Sequence, residues 1–251
     1  MITRRKFLKL CAGSLLALAF ADDIYRTASA SNTEIPVLLY HRVGYTGSYL
    51  TVTPEHFAND LSRLKKNGYN TISIAQFQDF VCGQSISLPE KPILITFDDG
   101  YADNFENAYP ILVKYGMTAA FFIITGLLWS AGRLSPQNLL EMKQGGMSFG
   151  SHTLSHRPLG ELSAADAHEE LNSSRSTLES ILNVPVQSIA YPRGSYTATT
   201  VKLAQDTSYS IGFTTISGTC SRNSSVFDLK RIPVFSYDSD IISLINRRRN
   251  G

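Results

Sequence analysis

Ile93-Leu94-Ile95-Thr96-Phe97-Asp98-Asp99-Gly100 is an apolar run that stops abruptly at two carboxylates and a glycine. Five residues rich in β-branched and aromatic side chains read as a strand buried on both faces. The same pattern recurs along the chain, near Val37 to Tyr40, Thr71 to Ile74, Ala119 to Ile124, Ser148 to Phe149, Ile189 to Tyr191, Ser210 to Thr214 and Arg231 to Val234. Helical patterns separate these runs. Thr53-Pro54 opens a helix with Phe57, Leu61 and Leu64 on one face and a stop at Gly68. Ser135-Pro136 opens a second that ends near Gly145. Ser163 with Asp166 opens a third, which runs to about Leu182 ahead of Asn183 and Pro185. Apolar strands alternating with helices predict an α/β chain with a parallel sheet, closed into a barrel. No linker or repeat divides residues 31–251, so they read as one domain, with Ser31 to Thr33 as a hinge.

The polar residues capable of chemistry follow directly on these strands. They are Tyr40-His41, Asp98-Asp99-Gly100, Ser151 to His156 and Tyr191-Pro192-Arg193-Gly194. In a parallel barrel the C-terminal strand ends share one rim, so these segments meet in space. His152 and His156 are four apart, and one helical turn would point both imidazoles the same way. Two imidazoles and a carboxylate with open positions describe a catalytic divalent metal centre, and a second carboxylate beside it is a ready base. His-His-Asp donors suit zinc and also accept nickel, cobalt or iron.

Thr96-Phe97-Asp98-Asp99-Gly100 and Ser151-His152-Thr153-Leu154-Ser155-His156 resemble the first two motifs of the polysaccharide deacetylase (NodB-homology) family. The likeness extends to the Val37 to His41 opening, the Ala190 to Gly194 turn and the Leu229 to Val234 ending, which resemble one branch of it. The resemblance implies a distorted version of the eight-stranded βα barrel, with about seven strands. It also implies a divalent metal, usually zinc, and hydrolysis of acetyl groups on polymeric sugars. By the same resemblance Asp99, His152 and His156 hold the metal, Asp98 is the general base, and a backbone N–H around Tyr191 helps hold the oxyanion. Tyr101, Tyr191 and Arg193 are the candidate substrate contacts.

Two positions depart from the family pattern. Ala190 stands where an Arg often orients the base, and Arg231 is the candidate replacement. No His follows Leu229 to act as general acid. His41 is the candidate there: it follows the first strand onto the same rim, and in the resembling branch an early Tyr-His pair has that role. The resulting expectation is a deacetylase acting on N-acetylated amino sugars or another acetylated glycan. The alternatives are a catalytically weak or inactive glycan-binding protein on the same fold, and an amidohydrolase acting on small C–N substrates.

Charge and composition agree with a glycan partner better than with nucleic acid. The chain has 251 residues, 23 Lys and Arg against 21 Asp and Glu, and is 43% hydrophobic. Arg4, Arg5, Lys6, Lys9 and Arg26 hold the surplus, leaving a near-neutral body without the basic stripe that phosphate binding needs. The Arg247 to Arg249 run reads as a solvated tail, and His56 and His168 as solvated helix residues. Cys82 and Cys220 are too few for a disulfide scaffold, and the sequence leaves open whether they pair.

Residues 1–30 read as an export signal. Met1 to Lys9 is basic, Leu10 to Ala21 is apolar, and Ala28-Ser29-Ala30 has the small residues of a cleavage site, with Ala19-Phe20-Ala21 as a second choice. Twelve apolar residues rise only about 18 Å as a helix, short of a bilayer core. Thr3 to Lys9 resembles a twin-arginine signal, which implies an export translocase as partner and an exported location. An ordinary basic signal and a retained anchor are the alternatives.

Overall fold

The computed structural model describes residues 33–249, so the export-signal segment 1–30 and its cleavage sites lie outside the described residues. Seven parallel strands form a closed barrel: β1 (Ile35–Tyr40), β2 (Pro92–Phe97), β3 (Ala120–Ile123), β4 (Ser148–Ser151), β5 (Ser188–Ala190), β6 (Ile211–Ser217) and β7 (Leu229–Pro233). Each pairs with the next, and β1 closes the ring by pairing with both β2, at Tyr40↔Phe97, and β7, at Leu38↔Ile232. Thr219–Cys220 adds a short antiparallel pairing to Ile35–Pro36.

Successive side chains of a strand face opposite sides, which sorts the apolar runs into two layers. Val37, Leu94, Ala120, Phe122, Ala190, Phe213 and Leu229 form the inner cluster. Tyr40, Phe97, Phe121 and Phe149 belong to the outer one, beneath the helices. Phe97 stacks on Phe121 at 4.9 Å between ring centroids and on Tyr40 at 5.4 Å. Fully burying one such ring contributes about 1.5–3 kcal/mol.

The helices are α1 (Pro54–Lys66), α2 (Ile74–Val81), α3 (Tyr109–Tyr115), α4 (Pro136–Gln144), α5 (Ala164–Leu182), α6 (Ala198–Asp206) and α7 (Ile241–Arg249). Thr53 caps α1 by accepting from His56 N, and Phe57, Leu61 and Leu64 are its buried face. Ser135 with Asn138 caps α4, and Ser163 caps α5, which ends at Asn183 with φ 52°. These boundaries are those the capping residues announce.

Three expectations are corrected. The extended stretch near Thr71 to Ile74 is only Asn70–Thr71, because Ser73 and Gln76 form a reciprocal capping box that starts α2 at Ile74. Phe77 and Phe80 of α2 then join the inner cluster, with Phe77 stacked on Phe213 at 5.5 Å. The Arg247 to Arg249 run is the last turn of α7 rather than a tail, where cations favour the helix dipole. His56 is half-buried beside Asp60 rather than solvated, whereas His168 is exposed. Cys82 and Cys220 are both free, the first exposed and the second buried.

Candidate metal centre and active site

The site lies where the strands end. Alternation along β2 puts Leu94 and Thr96 inside the barrel, so Asp98 also points inward; its N–H donates to Tyr40 O at 3.0 Å, one residue past the ladder. Asp99 and Gly100 then turn with φ 76° and 66°. The left-handed region costs a non-glycine residue about 1–2 kcal/mol, so the surroundings must hold Asp99 there.

His152 and His156 converge differently from the helical turn that their spacing suggested. β4 ends at Ser151, and His152 N–H continues its pairing by donating to Ile123 O at 2.9 Å. The chain then forms a loop, with Thr153 at φ 67° and His156 at φ 65°. Short polar side chains build it: Ser151 Oγ accepts from Thr153 N, Thr153 Oγ1 from His156 N, and Glu170 Oε2 from Ser155 N. The two imidazole centroids end up 4.9 Å apart.

Asp99 Oδ1 lies 3.5 Å from His152 Nε2 and 3.4 Å from His156 Nε2, and one ligand atom from each residue falls within 4.8 Å of the others. Tetrahedral zinc, with bonds of about 2.0–2.2 Å, needs ligand atoms roughly 3.3–3.6 Å apart. The donors therefore fit. His152 Nδ1 is 2.7 Å from Ala190 O, which puts a proton on Nδ1 and makes Nε2, the nitrogen on the Asp99 side, the ring atom that would bind a metal. Burial alone would raise the Asp99 pKa, but the hydrogen bond and charge of His152, with His41 and His156, hold it far below the carboxylate range. Burial lowers the pKa of His156, favouring the neutral ring a metal binds.

Beside this cluster, Asp98 Oδ2 is 3.9 Å from His152 Nε2. Arg231 Nη1 and Nη2 donate to its two oxygens, each at 2.7 Å, and both residues are buried. Arg231 Nε donates to Thr214 O at 2.9 Å and Nη1 also to Thr96 Oγ1 at 3.3 Å, which fixes the plane of the fork. Burial pushes the Asp98 pKa up, but the charge and hydrogen bonds of Arg231 together with His152 and His41 outweigh it, and the carboxyl stays below its ordinary value.

Residues 85–212 match the family model for polysaccharide deacetylase. The chain is 35% identical over 201 residues to YxkH of Bacillus subtilis (strain 168), a provisionally named polysaccharide deacetylase, covering 80% of this chain and 71% of that one. The chain belongs to the polysaccharide deacetylase family. A poly-beta-1,6-N-acetyl-D-glucosamine N-deacetylase of Staphylococcus aureus is 27% identical over 196 residues, 72% of this chain and 67% of that one. Among solved structures, the Streptococcus pyogenes deacetylase PplD in complex with acetate superposes with a TM-score of 0.81 at 32% identity, covering 85% of this chain and 98% of that one.

The remaining candidates of this deacetylase-family chain divide. His41 is on the rim, with its carbonyl accepting from Asn104 Nδ2 at 2.9 Å and its Nδ1 buried without a hydrogen-bond partner among the described residues. Burial lowers its pKa, against the opposing fields of Asp98 and Asp99. Tyr101 lies under two guanidinium groups, Arg42 at 4.4 Å and Arg133 at 4.1 Å from its centroid, so cations of the protein engage the ring proposed for a sugar. The expectation of a donor around Tyr191 is narrowed, because Tyr191 itself does not supply it. Its N–H is spent on Phe213 O at 2.9 Å, and its ring is fully buried and stacked on Tyr196 at 4.8 Å. Arg193 is exposed with φ 57°, and its charge lowers the pKa of His156 after burial and His152. Two positions escaped the sequence reading: Glu170, which anchors the His loop from α5, and Arg133, whose Nη1 donates to Asp99 O at 2.8 Å. Only the Ser and Thr of the loop hinted at a side-chain-built turn.

Proposed function

We propose that this chain is a metal-dependent hydrolase that removes acetyl groups from N-acetylated amino-sugar polymers, and that it is exported through residues 1–30. One observation carries the reading: a three-donor cluster with metal spacing has an ionised carboxylate clamped against it. A divalent metal held by Asp99, His152 and His156 would supply Lewis acidity, activating water and polarising the acetyl carbonyl. Zinc suits the donors. Asp98, held ionised by Arg231, accepts the proton of the attacking water. Arg231 keeps both Asp98 oxygens oriented without itself reaching the substrate. His41, at the end of β1 on the same rim, is the group assigned to protonate the departing amine. Arg193 and Tyr101 border the site where the glycan enters.

The non-enzymatic alternative is less economical, because a glycan binder has no use for a buried, charge-paired base. The Staphylococcus aureus relative supports a poly-N-acetylglucosamine substrate. The direct test is acetate release by the zinc-loaded protein from a panel of acetylated glycans, including poly-N-acetylglucosamine and small N-acetyl amides. Release from the polymers and not the small amides is expected. Release from small amides alone would favour the small-substrate amidohydrolase, and none from any member would leave only the binding reading.

A further inference from the structure

The loop between β3 and α4, residues 124–134, supplies none of the candidate metal ligands, yet it grips the backbone around all three. At its start Thr125 N donates to Thr153 O at 3.1 Å and Gly126 N to Leu154 O at 2.7 Å. Those carbonyls belong to the loop that joins His152 to His156. At its other end Gly132 O accepts from Ala102 N and Leu134 N donates to Gly100 O, both at 2.9 Å, while Arg133 Nη1 reaches Asp99 O at 2.8 Å. A main-chain bridge between Tyr101 and Arg133 and the stacking of the guanidinium over Tyr101 hold the same junction.

We propose that this loop is a bracket that sets metal affinity, and that Arg133 is a positioning residue acting on Asp99; the inference rests on Asp99, His152 and His156 being the ligands. Asp99 sits at φ 76°, a conformation its own backbone disfavours, and Arg133 holds its carbonyl. Asp99 and the histidines come from different strand ends, and residues 124–134 bond to the turns that carry both. Relaxing either end changes the separation of donors that must stay within a few tenths of an ångström of metal spacing. Gly126 marks the opposite end: a Cβ there would lie 2.5 Å from Leu154 O, so a side chain would force the bracket off the His loop.

The test is zinc affinity, measured on metal-stripped protein by competition with a chromophoric chelator, alongside the melting temperature of the metal-free form. Arg133→Ala is expected to weaken zinc roughly 10–100-fold, as loss of a ligand-orienting partner does elsewhere. Arg133→Lys is expected to recover part of it, because an ammonium can still donate to one carbonyl. Gly126→Ala should weaken zinc through the His loop without removing the Arg133–Asp99 contact. Asp99→Ala serves as the reference, and should lose far more. Arg133→Ala binding zinc within about twofold of the parent, while Asp99→Ala does not, would overturn the bracket and leave the ligand assignment standing. A lowered metal-free melting temperature with parental zinc affinity would also overturn it, by reducing Arg133 to a structural role. Asp99→Ala binding zinc like the parent would instead remove the ligand assignment underneath.

Discussion

Arg231, near the middle of β7, holds both carboxylate oxygens of Asp98, just past the end of β2, at 2.7 Å, reaching across the interior face of β1, which lies between those strands. The pair is buried, so each partner depends on the other. Removing one side of a buried ion pair costs about 3–5 kcal/mol, far more than the pair contributes net.

For Arg231→Met, burial should then dominate at Asp98 and raise its pKa. Because the base must be ionised, the acidic limb of the pH–rate profile should move to higher pH, with turnover down by roughly 10²-fold and an earlier melt. An acidic limb that stays in place would separate Arg231 from the base.

Asp98→Asn removes the proposed proton acceptor and leaves the three candidate metal donors untouched. Zinc content should persist while turnover falls by roughly 10²-fold or more. The structure adds a cost that isosteric replacement hides: Arg231 keeps its charge and loses its counterion, so the variant should also melt earlier. Parental turnover in a zinc-loaded Asp98→Asn protein would place the base elsewhere.

His41→Ala tests the proposed acid. An amide needs its leaving nitrogen protonated and an activated ester does not. The variant should keep zinc and lose most amide turnover while retaining more of its ester turnover. An unchanged ratio of the two rates would remove His41 from the role.

Asp60 lies on the buried face of α1, away from the metal cluster. Its Oδ2 accepts from Tyr40 OH at 2.9 Å and lies 3.5 Å from His56 Nε2. Burial, opposed by the Tyr40 bond and Arg63 and assisted by Asp238 and Asp240, pushes its pKa from 3.8 up to about 7. The folded carboxyl thus binds its proton more tightly than the unfolded one. Stability from this group is full below about pH 4 and is lost as pH rises through about 7. Asp60→Asn keeps an acceptor for Tyr40 and cannot ionise. It should melt higher than the parent near pH 8, by up to about 4 kcal/mol, and match it near pH 4. Parallel melting curves across that range would contradict the shift.

The sequence was legible where residue type carries the chemistry or the cap. Asp98-Asp99 after an apolar strand, two histidines on another strand end, and the Thr53, Ser135 and Ser163 caps all read directly. The turn joining His152 to His156 did not, because left-handed Thr153 and His156 have no signature in residue type. The start of α2 was visible in Ser73 and Gln76 but was masked by the β-branched residues beside them. Arg231 could be named only as a candidate, since it lies 133 residues from Asp98 and barrel closure alone brings the two together. Tyr191 misled because an N–H is free or spent according to the partner strand, here Phe213, and not its own neighbours. Arg133 was silent for the same reason: its target is a carbonyl, which every residue has.

The proposed chemistry requires that Asp99, His152 and His156 hold a divalent metal. Zinc per protein chain, measured by elemental analysis on purified Asp99→Ala, His152→Ala and His156→Ala after identical reconstitution, tests it most directly. The expected result is close to one zinc in the parent and in Asp98→Asn, and a strongly reduced content in each of the three ligand variants, with deacetylation lost alongside. Full zinc occupancy in all three variants would contradict it.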